Sequence, residues 1–286
     1  MAEPQPAEVP APPGPFERDT AVTAAGEGRF DAVVGEDWRA GRGPHGGYLA
    51  AIILRALTLS VADPARAPRS LTIHYARAPS PGPITVHTTI ERQGRSLSTL
   101  SARMEQDGKL IALALAAFSV SWTGRDLKDV EMPVVAPPEP GHPPGTARSF
   151  GAPPFTDHLV LQPRVKDKPA HGGRRPMEFA AWLGLAEARP IDAIALAFFS
   201  DALIPAPFPA IKEFAPAPTI DLTIHFRVAL PRTEHPDPHE LCFAQVKAGV
   251  IHEGFFEEDG VIWSTDGTLL AQSRQLALLM ARPAGG

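Results

Sequence analysis

The sequence predicts an α+β protein of two tandem halves, each an antiparallel sheet wrapped around one helix, the two sheets pairing into one continuous sheet. Three observations predict it. Leu71-Thr72-Ile73-His74-Tyr75 returns as Leu222-Thr223-Ile224-His225-Phe226, and Asp107-Gly108-Lys109-Leu110 returns as Asp266-Gly267-Thr268-Leu269, at offsets of 151 and 159 residues. Each copy follows one strongly apolar segment of helical composition. After each helix come β-branched runs separated by turn residues. Such a repeat means one supersecondary unit used twice. Pairing two units edge to edge covers strand edges that would otherwise stand open. A tandem of α+β domains without a shared sheet has the same periodicity and is the alternative.

Met1 to Pro15 is proline-rich and reads as a disordered tail. Phe30 to Val34 is a short strand, followed by Trp38 and the glycine-rich turn Gly41-Arg42-Gly43-Pro44-His45-Gly46-Gly47. From Tyr48 the chain is rich in alanine and leucine through Leu59, with Asp63-Pro64 just beyond, which predicts a helix wrapped by other structure. Strands follow at 70–76, 84–93, 96–106 and 109–122, and Asp107-Gly108 marks a tight hairpin. A second proline-rich stretch, Val130 to Pro154, reads as a connector. The second copy repeats the order: a strand at 177–185, a helix at 191–203 stopped by Pro205, and strands at 219–228, 241–250, 254–264 and 268–279. The expected organisation is a tail over 1–15, a first unit over 16–125, a connector over 126–145 and a second unit over 146–286.

A net charge of -5 in 286 residues gives no general reason to bind nucleic acid or an acidic membrane. Cys242 is the only cysteine and lies between Leu241 and Phe243, the setting of a buried core thiol, so a disulfide or thiolate metal cluster is not expected. The second half's histidines do not fall at close metal-ligand spacing on one element, and Gly26-Glu27-Gly28 lacks the spacing and lysine of a phosphate loop. Neither a metal nor an organic cofactor is expected. The N-terminus lacks the basic start and hydrophobic run of a secretory signal, and the longest apolar run, Leu110 to Phe118, is too short to span a bilayer. A soluble cytoplasmic protein is the expectation.

His45-Gly46-Gly47-Tyr48-Leu49-Ala50-Ala51, Thr219-Ile220-Asp221-Leu222-Thr223-Ile224-His225-Phe226 and Asp266-Gly267-Thr268-Leu269-Leu270-Ala271-Gln272-Ser273-Arg274-Gln275 together resemble acyl-CoA thioesterase II, the TesB-like double hotdog family. The resemblance runs in order from Phe16 to Met280. It implies two hotdog domains in tandem, hydrolysis of fatty acyl-CoA to fatty acid and coenzyme A, and a homo-oligomer of such chains. It implies a catalytic Asp at the start of the strand after the second helix, here Asp221, and a catalytic Gln on the final strand, here Gln275. A third family residue, Thr or Ser, falls near Gly249, where no hydroxyl stands; Thr219 and Thr223 lie nearby in sequence but outside that place.

Thioester hydrolysis needs a positioned water, an acceptor for its proton, and donors facing the charge that develops on the carbonyl oxygen. Asp221 is the expected acceptor and Gln275 the residue that holds the water. A strand-start Asp also serves as a plain turn cap, and Gln275 as a satisfied polar residue of the sheet. Their counterparts in the first copy are Ser70 and Ala116, so one chemical site per chain is expected. The N–H groups of Gly46 and Gly47, at a helix start, are candidate oxyanion donors. His45 and Thr223 are auxiliary candidates, His45 more readily as a hydrogen-bonding residue than as a base. Arg92, Arg95, Arg103 and Arg274 are candidates for the coenzyme A phosphates, or solvated residues of the outer sheet face. A non-catalytic acyl-ligand binder, or a hydratase using a histidine at the helix mouth, would use the same kind of fold.

Overall fold

The computed structural model describes residues 12–141, 152–164, 175–211, 215–232 and 236–280. Residues 1–11 of the expected tail therefore lie outside the described residues, and the short helix α1 (Pro15–Asp19) begins at that tail's last position. Next come strands β1 (Thr23–Gly26) and β2 (Arg29–Val34) and the two-residue ribbon of β3 (Arg39–Ala40) and β4 (Gly43–Pro44). The first half continues with helix α2 (Gly46–Val61), then β5 (Ala67–Tyr75), β6 (Gly82–Gln93), β7 (Leu97–Gln106) and β8 (Lys109–Ser119). The second half contains β9 (Leu159–Pro163), β10 (Glu178–Leu185), helix α3 (Ala193–Phe199) and β11 (Thr219–Phe226). It ends with β12 (Cys242–Lys247), β13 (Ile251–His252), β14 (Phe255–Ser264) and β15 (Leu269–Leu278).

Among the described residues one antiparallel sheet runs in the order β1-β2-β6-β7-β8-β5-β11-β15-β14-β12-β10-β9, with β13 paired to β14. The halves meet at β5 and β11, and the repeated motif pairs with itself there. Thr72 lies opposite Thr223, Leu71 opposite Ile224 and Ile73 opposite Leu222. That self-pairing is what a local two-fold demands. The axis passes between the two threonines, whose Oγ1 atoms are 3.1 Å apart. Each unit thus covers the edge the other would leave open.

Alternation along β5 and β11 turns Leu71, Ile73, Leu222 and Ile224 inward, where they join α2 and α3 in one core. Helix α2 is apolar nearly all round and buried from Gly47 to Leu54, as its composition requires. Its N-cap is His45, an uncommon capping residue, whose Nδ1 accepts from Tyr48 N at 3.3 Å. Helix α3 is capped by Asp192, which accepts from Ala195 N at 2.8 Å. It is shorter than its sequence suggests because the chain tightens after Phe199 into i→i−3 bonds, from Asp201 N to Phe198 O and from Ala202 N to Phe199 O. Asp107 and Gly108 both have positive φ, 52° and 71°, the conformation a two-residue hairpin needs.

The described part of the connector is an extended strap across the outer face of the second half. Val130, Met132 and Val135 pack on a second apolar cluster of Ala180, Trp182, Phe243 and Trp263. Trp182 Nε1 donates to Ala136 O at 2.8 Å, and the Gln162 amide bonds both backbone groups of Glu139. Aromatic residues on the solvent side of a sheet explain why the strap is needed there.

Candidate active site

Gln275 lies on β15 opposite Leu222 of β11 and Glu258 of β14. Leu222 points inward, so Gln275 does too, and it is 6% exposed. Simple alternation would turn Thr219 outward with Asp221 and Thr223. A bulge between Thr219 and Asp221 resets it. Thr219 pairs with Ala277, which shares its face of β15 with Gln275. Thr219 Oγ1 then donates to Gln275 Oε1 at 3.0 Å.

Asp201, in the turn after α3, reaches the start of α2 from the other half. Its Oδ2 accepts from Gly47 N at 2.9 Å. Side chains at the two glycines would prevent this: a Cβ on Gly46 would stand 2.7 Å from Asp201 Oδ2, and one on Gly47 would stand 2.5 Å from Phe198 O. His45 Nδ1 is occupied by the Tyr48 N–H, so Nε2 carries the ring proton and donates to the Asp201 carbonyl at 2.8 Å. Tyr75 closes the other side by donating to Gly46 O at 2.9 Å. Burial raises the Asp201 carboxyl above the ordinary carboxylate range, and His45 and the Gly47 N–H offset only part of that. Burial likewise holds His45 below the usual imidazole value, with Asp201 opposing.

Glu258 is 4% exposed and sits beyond Gln275. Gln275 Nε2 donates to its Oε1 at 2.6 Å, and the Ala206 N–H donates to its Oε2. Burial pushes its carboxyl up to about 7, against those two hydrogen bonds and with the Asp201 charge adding to the rise. A row of polar groups therefore crosses a mostly apolar inner face: His45, Gly47, Asp201, Thr219, Gln275 and Glu258. It sets a carboxyl of raised basicity beside neutral hydrogen-bonding groups. Among the described residues no group of His, Cys, Asp and Glu is arranged to hold a metal. No described helix is long and apolar enough to cross a membrane.

Several residues singled out in the sequence lie elsewhere. Asp221 is opposite Leu276 and His74, on the sheet face away from Gln275, so the expected Asp221–Gln275 pair does not form. The strand's alternation puts it there, one residue out of phase with the inward Leu222. Thr223 is on that same outer face, bonded to Thr72. Near Gly249 no hydroxyl stands, whereas the bulge brings the hydroxyl of Thr219 onto the face of Gln275. His45 has both ring nitrogens engaged, Nδ1 by the Tyr48 N–H and Nε2 by the Asp201 carbonyl. Gly46 and Gly47 are at the helix start as expected, but the Gly47 N–H is committed to Asp201 and is not an open oxyanion donor.

The four arginines do not gather at the site. Arg274 forms a two-pronged pair with Asp259, at 2.6 Å for each contact, and Arg103 pairs with Glu105. Arg92 is on the outer face of β6, and Arg95 lies in the turn to β7. Asp201 and Glu258 were missed in the sequence. The signals were a lone acid in the apolar run from Ile194 to Leu203, and Glu258 in phase with Phe256 and Ile262.

Two family models match the chain. The acyl-CoA thioesterase N-terminal domain matches residues 34–119, and the acyl-CoA thioesterase C-terminal domain matches residues 133–279. A hot dog fold protein of unknown function from Alicyclobacillus acidocaldarius superposes with a TM-score of 0.81 at 26% identity, over 95% of this chain and 100% of that one. Acyl-CoA thioesterase II TesB2 from Mycobacterium marinum gives a TM-score of 0.75 at 18% identity, over 95% and 99%, a likeness of fold. An uncharacterized protein of Mycobacterium tuberculosis, Rv0499, is 25% identical over 275 residues, covering 88% of this chain and 91% of that protein.

Proposed function

Because the chain belongs to the acyl-CoA thioesterase family, we propose that it hydrolyses acyl-CoA thioesters to free acid and coenzyme A, with a water held at Asp201, Thr219 and Gln275. The observation that carries this reading is the meeting of a buried second-half carboxylate with the first-half helix start, on the sheet face that presents Gln275. Asp201 takes a proton from the water as its oxygen attacks the thioester carbonyl carbon. Thr219 Oγ1 accepts the water's other hydrogen. The second N–H of Gln275 faces the oxygen on which charge develops. When the C–S bond breaks, the proton held by Asp201 goes to the departing thiolate.

A cleft of ≈ 300 Å³ lined by Arg39, Arg42 and Pro44, with Glu36 as the opposing acid, lies immediately before His45 in the chain. It fits the phosphates of coenzyme A better than the dispersed arginines of the outer face do. Joint replacement of Arg39 and Arg42 by alanine is expected to raise KM for acyl-CoA about tenfold, the scale of a lost charged hydrogen bond. The kcat should hold, as should KM for an acyl-N-acetylcysteamine thioester, which lacks the phosphates. An equal loss on both substrates would remove the cleft from the reading. The same reading takes the protein as a cytoplasmic homo-oligomer, with the exposed Leu97, Leu113 and Leu115 of the first half's outer face as its apolar surface.

Release of free thiol from a panel of acyl-CoAs tests the proposal. Turnover is expected, and Thr219→Val should slow it at least about tenfold, the size of a lost hydrogen bond to a reacting group. Saturable binding without thiol release would favour an acyl-ligand binder instead.

A further inference from the structure

Gln275 is a neutral amide whose two ends differ, and which end faces Thr219 decides what Thr219 can do. With Oε1 toward Thr219, the hydroxyl proton goes to Gln275 and an oxygen lone pair stays open to the water. With Nε2 toward Thr219, the hydroxyl proton turns to Asp201, where it competes with the water for the carboxylate. Resting on the thioesterase reading, we propose that Glu258 is a positioning residue: its carboxylate, anchored by the Ala206 N–H, holds Gln275 Nε2 and thereby keeps Oε1 toward Thr219.

An ionised carboxylate only accepts hydrogen bonds, so facing Glu258 it selects the Nε2 end of the amide. The cross-strand register places Glu258 and Gln275 directly opposite each other, and the 2.6 Å contact is inside the protein. Protonated Glu258 could donate to Oε1 and release the choice. The carboxyl, pushed up to about 7 by burial, makes that change within an accessible pH range. The titratable group facing it is Asp201, from the turn after α3, whose charge contributes to that rise. Neighbouring Glu257 and Asp259 alternate to the opposite face, and Lys247, opposite Asp259 on β12, is exposed. On its own face the residue paired with it is Gln275, and Val246 lies diagonally across on β12, opposite Gly260; neither titrates.

The test is a double-mutant cycle on the full chain, read by acyl-CoA thiol release between about pH 5 and 9. Glu258→Gln keeps the shape and the bond to Ala206, yet then offers its own N–H to Gln275 and favours the flipped amide. Its kcat is expected to fall about ten- to hundredfold with KM within about twofold. In a Gln275→Ala background the same change should cost little, because there is no amide left to orient. Equal losses in both backgrounds, or an unchanged kcat, would overturn the assignment.

A second measurement does not need turnover. The Gln275 side-chain N–H signal in a nitrogen–proton correlation spectrum, assigned by its loss in Gln275→Ala, should move as Glu258 takes up its proton and stay fixed in Glu258→Gln. A signal that ignores Glu258 sinks the proposal. If the protein releases no thiol at all, the thioesterase reading falls, while this titration still decides the role of Glu258.

Discussion

Asp201→Asn is expected to lower kcat for acyl-CoA hydrolysis by about 10²–10⁴-fold, the range for losing a positioned general base. Asparagine has nearly the same shape and still offers an oxygen to the Gly47 N–H, so the start of α2 and the His45 contact should persist. What is lost is the site that takes the water's proton. Since burial raises the Asp201 carboxyl, wild-type activity should fall as pH drops through that raised value. The residual activity of Asp201→Asn should lack that dependence on Asp201. Asp221→Asn is the matched comparison, because Asp221 points to the other face. It is expected to change kcat by less than about twofold, as a substitution away from the site. A damaged Asp221→Asn beside an active Asp201→Asn would reverse the assignment.

The contrast between these two acids shows what the sequence could and could not deliver. The halves were legible because their evidence is repetition: the copied Leu-Thr-Ile-His runs pair with each other across the seam. Asp107-Gly108 forms the tight turn its residue types demand. Asp221 was misplaced for a local reason. Leu222, Ile224 and Phe226 are inward, so strict alternation already sent Asp221 outward, and attention to phase alone would have excluded it. Thr219 could not be placed that way, because a single bulge at Ile220 returns it to the inner face, and a bulge leaves no period to read. Asp201 depends on a contact between residues 154 apart in the chain. No local pattern encodes such a contact, although an unpaired acid inside an apolar run is the kind of residue that burial makes costly without a role. Glu258 was hidden among three consecutive acids. Of these, Glu257 and Asp259 are ordinary surface charges of a strand, and only the pleat separates the middle one from its neighbours.

Glu258→Gln is also expected to stabilise the protein at pH 8 by about 3 kcal/mol, and to change stability little below about pH 4.5. The folded-state carboxyl is raised from 4.5 to about 7, so between those values the folded protein holds a proton that the unfolded chain has released. That contribution to stability is complete below the unfolded value and is lost as pH rises through the folded one. Above about pH 7 the native state carries an ionised carboxylate in a nearly solvent-free place, and two hydrogen bonds offset only part of the cost. Glutamine makes hydrogen bonds at the same positions without ionising. Urea titrations at pH 5 and pH 8 give the comparison, and the gain should appear mainly at pH 8. A pH-independent difference would mean that Glu258 does not change its charge over this range, and the orienting role argued for it would lose its basis. Asp201, whose carboxyl is raised as well, adds a decline of the same sign that survives the substitution. A variant that is firmer at neutral pH and slower in turnover is the combination that a residue kept charged for its effect on Gln275 must show.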